Sequence, residues 1–212
     1  MTQTDLEAVR EGTQDVYDRH AKFWQRERPK DLYERVWIDR FLESIVPKSR
    51  LLDLGCGTGD PIARYLCDQS YEVVGVDYSP SMIEIAKGLL PAANWLVADM
   101  TALPEIGTFD GILSWDGFFH LSQDQQRKAL PMLVDRLRPG GNLMLTIGPT
   151  AGEVTGMVGE EPVYHSSLDS EEYRALLSSG CFETLEIVTG TMEAETRGRS
   201  VLLAQGCMKR RR

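Results

Sequence analysis

Apolar residues follow a helical period through the first fifty positions and gather into short runs after that. Leu6, Val9 and Val16 share one stripe, and Tyr33, Val36, Trp37, Phe41 and Leu42 share another, as a 3.6-residue period requires. Pro29 separates the two stripes and Pro47 ends the second, since proline withdraws a backbone donor. From Arg50 the pattern predicts strands over Leu51–Leu54, Glu72–Val76, Asn94–Ala98, Phe109–Trp115 and Asn142–Gly148. Helices are predicted between them, over Pro61–Cys67, Pro80–Leu90 and Gln123–Leu137. Ser79-Pro80 reads as a helix start, Pro139-Gly140-Gly141 as a stop, and Pro131 as a kink or break in the third helix. The stretch from Pro149 to His165 reads as a long loop, functional or mobile. Asp169 and Glu172 suggest a capping box opening a helix to Ser179, closed by Gly180. Strands over Phe182–Thr189 and Ser200–Gly206, joined by a polar loop with Gly190 and Gly198, end the chain.

Strands alternating with helices call for an α/β fold, a parallel sheet with helices on both faces. A length of 212 residues fits one such domain. No apolar run approaches the roughly 20 residues that span a bilayer, and the polar N-terminus resembles no signal peptide. The expectation is a cytoplasmic protein with no membrane association. Cys56, Cys67, Cys181 and Cys207 form no CxxC pair, so neither disulfides nor structural zinc is expected. The net charge is −9, and the one basic cluster is Lys209 to Arg212. Nucleic acid is therefore disfavoured as a partner, because phosphate contacts dominate that affinity. A neutral or cationic small substrate is compatible with such a surface. Oligomeric state is not readable.

The segment Leu51-Leu52-Asp53-Leu54-Gly55-Cys56-Gly57-Thr58-Gly59 carries an apolar strand into three alternate glycines and then into a helix. Glycine lets the backbone turn sharply and approach a ligand, and the helix start beyond offers free N–H groups. A dinucleotide fingerprint wants G-x-G-x-x-G with a diphosphate on that helix. Here Asp60 takes the third position and Asp53 precedes the turn, two negative charges that disfavour NAD and a nicotinamide oxidoreductase. A nucleoside without phosphate, bearing a cationic amino-acid tail, suits them better. The pattern resembles motif I of the class I, Rossmann-like methyltransferases that use S-adenosylmethionine (SAM). Asp77 ends the second strand 22 residues after Gly55, Asp99-Met100 follows the third, and Leu137-Arg138-Pro139-Gly140-Gly141-Asn142-Leu143 precedes the fifth. All three fit the same resemblance.

That resemblance implies a seven-stranded, mostly parallel sheet with the last strand antiparallel. It implies a helical lid over residues 1–48, a SAM-binding core over 49–148, and an acceptor loop with closing strands over 149–208. Asp53, Gly55, Cys56, Gly57 and Gly59 would hold the methionine portion. Asp77, with Tyr78 and Met82 beside it, would take the ribose, and Asp99 with Met100 the adenine. Asp99 alone serves equally well as a turn former, and Cys56 as a small packing residue. Tyr17, in Tyr17-Asp18-Arg19-His20-Ala21, resembles the family's Y-D-x-x-A lid element. Phe23 and Trp24 suit either a lid or plain packing.

The acceptor is expected beyond the fourth strand, at Ser114-Trp115-Asp116-Gly117-Phe118-Phe119-His120. Trp115 is placed against the cofactor, and Asp116, Phe119 and His120 against a small-molecule acceptor, joined by Trp24, Tyr164 and His165. Base- and amide-methylating relatives carry [DN]-P-P-[YF] here, a pattern this chain lacks. His120 is the candidate general base or orienting group, since an imidazole with a pKa near 6.5 accepts a proton at neutral pH. Activity would then rise through neutrality. His120, His165, Asp116 and Glu161 have ligand chemistry without ligand spacing, so no metal is expected. A SAM-binding module without catalysis remains the rival reading.

Overall fold

The computed structural model describes residues 3–177, 182–190 and 196–208. In chain order the elements are α1 (Gln3–Glu27), α2 (Arg35–Leu42), β1 (Arg50–Leu54), α3 (Ile62–Asp68), β2 (Glu72–Asp77), α4 (Pro80–Leu89) and β3 (Asn94–Val97). There follow β4 (Phe109–Ser114), α5 (Gln123–Arg136), β5 (Leu137–Ile147), β6 (Gly152–Val158), β7 (Glu161–Ser167), α6 (Ser170–Leu177), β8 (Phe182–Val188) and β9 (Ser200–Cys207). Seven strands form one sheet in the order β3-β2-β1-β4-β5-β9-β8. The pairs from β3 to β5 are parallel, and β9 runs antiparallel to both β5 and β8.

Strand side chains alternate between faces, and that alternation divides the core. Leu52, Leu54, Val74 and Val76 point to one side, against Leu130 and Leu133 of α5 and Tyr173 of α6. Leu51, Val73 and Leu113 point to the other, against Phe41 of α2, Leu66 of α3 and Ile83 of α4. Both faces are thus covered, as a buried parallel sheet requires. Helix starts follow the sequence. Ser79 accepts the Met82 N–H at 3.1 Å, and Ser122 with Gln125 closes a full capping box on α5.

Four readings are corrected. Residues 149–165 are not a long loop: β6 and β7 pair in register from Gly152↔Ser167 to Val158↔Glu161. Gly159, at φ 60°, turns them in two residues, and interspersed glycine and proline had hidden the two-residue alternation. Pro131 does not split α5, which runs unbroken from Gln123 to Arg136. It sits on the exposed side, where solvent can serve the carbonyl it leaves unpaired. Pro139-Gly140-Gly141 lies inside β5 as a bulge, since the register shifts between Phe109↔Leu137 and Gly111↔Asn142. Asp169 does cap α6 through the Glu171 N–H at 2.8 Å, but Glu172 pairs with Arg127 at 2.6 Å instead of reaching back. Ser179, Gly180, Cys181 and the Lys209–Arg212 cluster lie outside the described residues.

Helix α1 roofs the carboxyl ends of the strands. Asp18 accepts the Ser79 hydroxyl at 2.6 Å and the Ser81 N–H at 2.9 Å, which ties α1 to the start of α4. On its other side Thr13 accepts the Tyr164 N–H at 2.9 Å, and Arg19 and His20 both reach Glu161. No described helix is long and apolar enough to cross a membrane.

Candidate active site

Strand order reverses between β1 and β4, where an open α/β sheet leaves a crevice at its carboxyl edge. Two backbones cross there at close range. A Cβ on Gly55, which has φ 67°, would lie 2.9 Å from Cα of Gly117, so the glycine-rich turn and the β4 exit leave no room for side chains. The third glycine has a different reason. A Cβ on Gly59 would strike the Trp95 indole at 2.5 Å, so that position is set by packing as well as by its φ of 75°.

Under α1 lies a cavity of about 500 Å³, within the range of small-molecule sites, roughly 300–1,000 Å³. Its wall includes every cofactor residue expected from the sequence: Tyr17, Asp53, Gly55, Cys56, Gly57, Gly59, Asp77, Tyr78, Met82, Asp99, Met100 and Trp115. Asp53 is 3% exposed, and among the described residues no donor reaches its carboxylate. Burial and then the charge of Asp77, partly offset by Arg28, push its pKa up to about 7. Arg28 alone does not balance such a group. The sulfonium and ammonium of SAM would supply further positive charge, so the donor set fits that cofactor.

Asp77 accepts the Gly57 N–H at 2.8 Å on one oxygen and the Ser79 N–H at 2.9 Å on the other. Its pKa is raised by burial despite those bonds. A carboxylate has about four lone-pair sites, which leaves capacity for a diol. Asp99 makes the turn that the sequence allowed. One oxygen accepts the N–H and hydroxyl of Thr101, each at 2.7 Å, in a local turn, and the residue also lines the cavity. Asp60 is held as a carboxylate by Arg64 at 3.1 Å and Lys30 at 3.3 Å.

His120 stands in a chain of fixed partners. Its Nδ1 lies 2.7 Å from the carbonyl oxygen of Tyr164. A carbonyl only accepts, so Nδ1 carries the hydrogen. Nε2 is then the acceptor, and the Tyr17 hydroxyl donates to it at 3.0 Å. Burial and the neighbouring His165 lower the His120 pKa to about 4. Burial raises that of Tyr17, as do the charges of Asp116 and Asp77. Both groups are neutral at pH 7, in one tautomer and one orientation.

Of the expected acceptor residues, Trp24, Asp116 and His120 line the cavity, while Phe119, Tyr164 and His165 do not. Phe119 and His165 pack behind His120, with His165 ring-to-ring at 4.7 Å from Phe119 and 5.0 Å from His120. The Tyr164 side chain is spent on Glu153, and only its carbonyl reaches the site. Asp116, at φ 60°, is engaged by Arg199 through both oxygens at 2.5 and 2.7 Å. Sequence reading missed Arg199, as well as Arg28, whose guanidinium lies against the fully buried Glu34. Neither belongs to a motif. Among the described residues no cluster of ligand-type side chains could hold a metal.

The strand order, with β9 antiparallel, is that of the class I, Rossmann-like methyltransferase fold. Residues 51–141 match the methyltransferase domain family. A probable tRNA methyltransferase 9B from Bos taurus is 32% identical over 138 residues, 63% of this chain and 28% of that protein. A malonyl-[acyl-carrier protein] O-methyltransferase from Enterobacter lignolyticus is 34% identical over 131 residues, 61% of this chain and 48% of that one. The matched stretch therefore spans less than half the length of these two relatives. Among solved structures, a sugar N-methyltransferase from Streptoalloteichus superposes with a TM-score of 0.68 at 20% identity, covering 89% of this chain and 92% of the other.

Proposed function

We propose that this protein transfers the methyl group of SAM to a small-molecule acceptor held between Tyr17, His120 and the Trp115-Asp116 turn. The names of the relatives divide among RNA, a malonyl group and a sugar amine, so the acceptor has to be argued from the cavity. The single observation that carries the reading is the buried Asp53, with its raised pKa, facing a cavity walled by the whole expected cofactor set. In this reading Asp53 pairs with the cationic end of the cofactor, Asp77 takes the ribose hydroxyls, and Asp99 with Met100 borders the adenine. SAM supplies a methyl group on a sulfonium, an electrophile needing no further activation. Tyr17, fixed by His120, presents its oxygen lone pairs to the acceptor and orients it for in-line attack. Trp24 and the rest of α1 keep water out.

A small molecule is favoured over RNA by the net charge of −9 and by the roof that α1 forms over the cavity. RNA is the second reading, because a tRNA methyltransferase is among the relatives. Free Cys56, Cys67 and Cys207 accord with a reducing compartment such as the cytoplasm. Calorimetry with S-adenosylhomocysteine (SAH) and SAM tests the cofactor assignment. Asp77→Ala removes hydrogen bonds to the ribose worth about 1.5–3 kcal/mol each, so affinity for both ligands is expected to fall at least tenfold. Unchanged affinity in that variant would remove Asp77 from the site.

A further inference from the structure

A second cavity, of about 230 Å³, adjoins the first, and Trp24 and Arg28 line both. The partition between them is made of paired groups. Asp116 on the inner side binds Arg199 on the outer, and the Trp115 indole N–H on the inner side reaches the Tyr33 hydroxyl on the outer at 3.4 Å. In the outer chamber three guanidinium groups surround one aromatic ring. The Cζ atoms of Arg197, Arg28 and Arg199 lie 3.9, 5.4 and 5.5 Å from the centre of the Tyr33 ring.

The carboxylates that balance these arginines are not on the chamber wall. Asp31 pairs with Arg197 at 3.0 Å, Glu34 with Arg28, and Asp116 with Arg199. Among the described wall residues only Glu27 is acidic, and it pairs with Arg26 at 2.7 Å. Three ion pairs thus point their positive ends inward. A guanidinium has five N–H donors in a planar fork, and among the described residues Arg197 donates one, to Asp31. Glu34 is wholly buried with one oxygen unpartnered, a costly arrangement that fixes Arg28 at the join of the two chambers.

We propose that this outer chamber is the recognition site for an anionic group, carboxylate or phosphate, on a small and partly aromatic acceptor. The anion sits on the guanidinium edges, the apolar body lies against Phe23, Trp24 and Met157, and the reacting end passes Trp24 into the inner cavity. The inference rests on the methyltransferase reading and adds the acceptor's class. It also departs from the cationic or neutral substrate that the overall charge suggests, because the groups lining this chamber are mostly guanidinium donors although the net charge is negative.

The test titrates the full chain, loaded with SAH, with benzoate, phenyl phosphate and benzamide. Benzoate or phenyl phosphate is expected to bind at least about tenfold more tightly than benzamide, the scale of a charge-assisted pair. The tighter of the two anions identifies the group. Arg197→Gln removes a side chain that, among the described residues, pairs with the exposed Asp31 and stacks on Tyr33. It should abolish most of that difference and leave SAH affinity unchanged. Equal binding of the three probes, no binding of any, an unaltered preference in Arg197→Gln, or displacement of benzoate by tRNA alone would each overturn the proposal. If SAH itself fails to bind, the methyltransferase reading falls with it; if SAH binds and benzoate does not, the inference falls alone.

Discussion

Asp53→Asn is expected to make the free protein more stable and to weaken its hold on SAM. In the folded chain Asp53 keeps its proton up to about pH 7, whereas in an unfolded chain it ionises near pH 4. Between those values the unfolded state binds fewer protons, so native stability falls as pH rises and the deficit is complete above pH 7. At about 1.4 kcal/mol per pKa unit the full deficit is of order 4 kcal/mol. Asparagine has no charge to bury, so denaturation of the variant should show a gain that is greatest above pH 7 and vanishes below pH 4. Equal stability of the two proteins across this range would contradict the burial argument. Loss of a charge-assisted contact to the cofactor corresponds to roughly a 10- to 100-fold weaker Kd. In the natural protein, SAM should bind more tightly as pH rises from 6 to 8 and should release a proton on binding, because its cation draws Asp53 into the ionised form.

His120→Ala is expected to lower kcat by about 10²-fold, the cost of misplacing a reacting group by an ångström or so, while SAM affinity changes little. Tyr17→Phe should share the defect, because the two groups form one hydrogen-bonded unit. The pH profile carries the stronger discrimination. A solvated imidazole would produce a step in kcat near pH 6.5. The buried one, with a pKa of about 4, leaves kcat flat between pH 6 and 8 as far as this residue is concerned. The neutral step should instead appear in KM for SAM, through Asp53. A kcat step near 6.5 that disappears in His120→Ala would show that His120 works as a free base and that its two hydrogen bonds break during turnover.

Backbone order was largely legible. Leu51–Leu54 and Val73–Val76 are apolar on both faces because helices cover both faces, and glycine, proline and serine mark most of the element ends. The hairpin at 152–167 was not, since Gly156 and Pro162 interrupt its alternation. Gly156 is glycine because the His165 ring fills the place of a Cβ, a reason that exists only in three dimensions. The wall of the cavity under α1 was legible because its residues follow one another along motif-bearing turns. The acceptor side was not. Arg28 and Tyr33 lie far in the chain from Arg197 and Arg199, and their convergence depends on how α1 and the turn before β9 lie against the sheet. Likewise, neighbours in sequence suggested that His120 was a base, whereas its tautomer is set by Tyr164 and Tyr17, 44 and 103 residues away.

The central claim is methyl transfer to a small molecule. The direct measurement is incubation of the protein with SAM bearing a labelled methyl group, together with a small-molecule extract and bulk tRNA in one reaction. The label is then separated by size. The expected result is SAH release with label in the low-mass fraction, lost on Asp77→Ala and reduced on His120→Ala. Label confined to tRNA, or firm SAM binding with no label transferred to either fraction, would contradict the account.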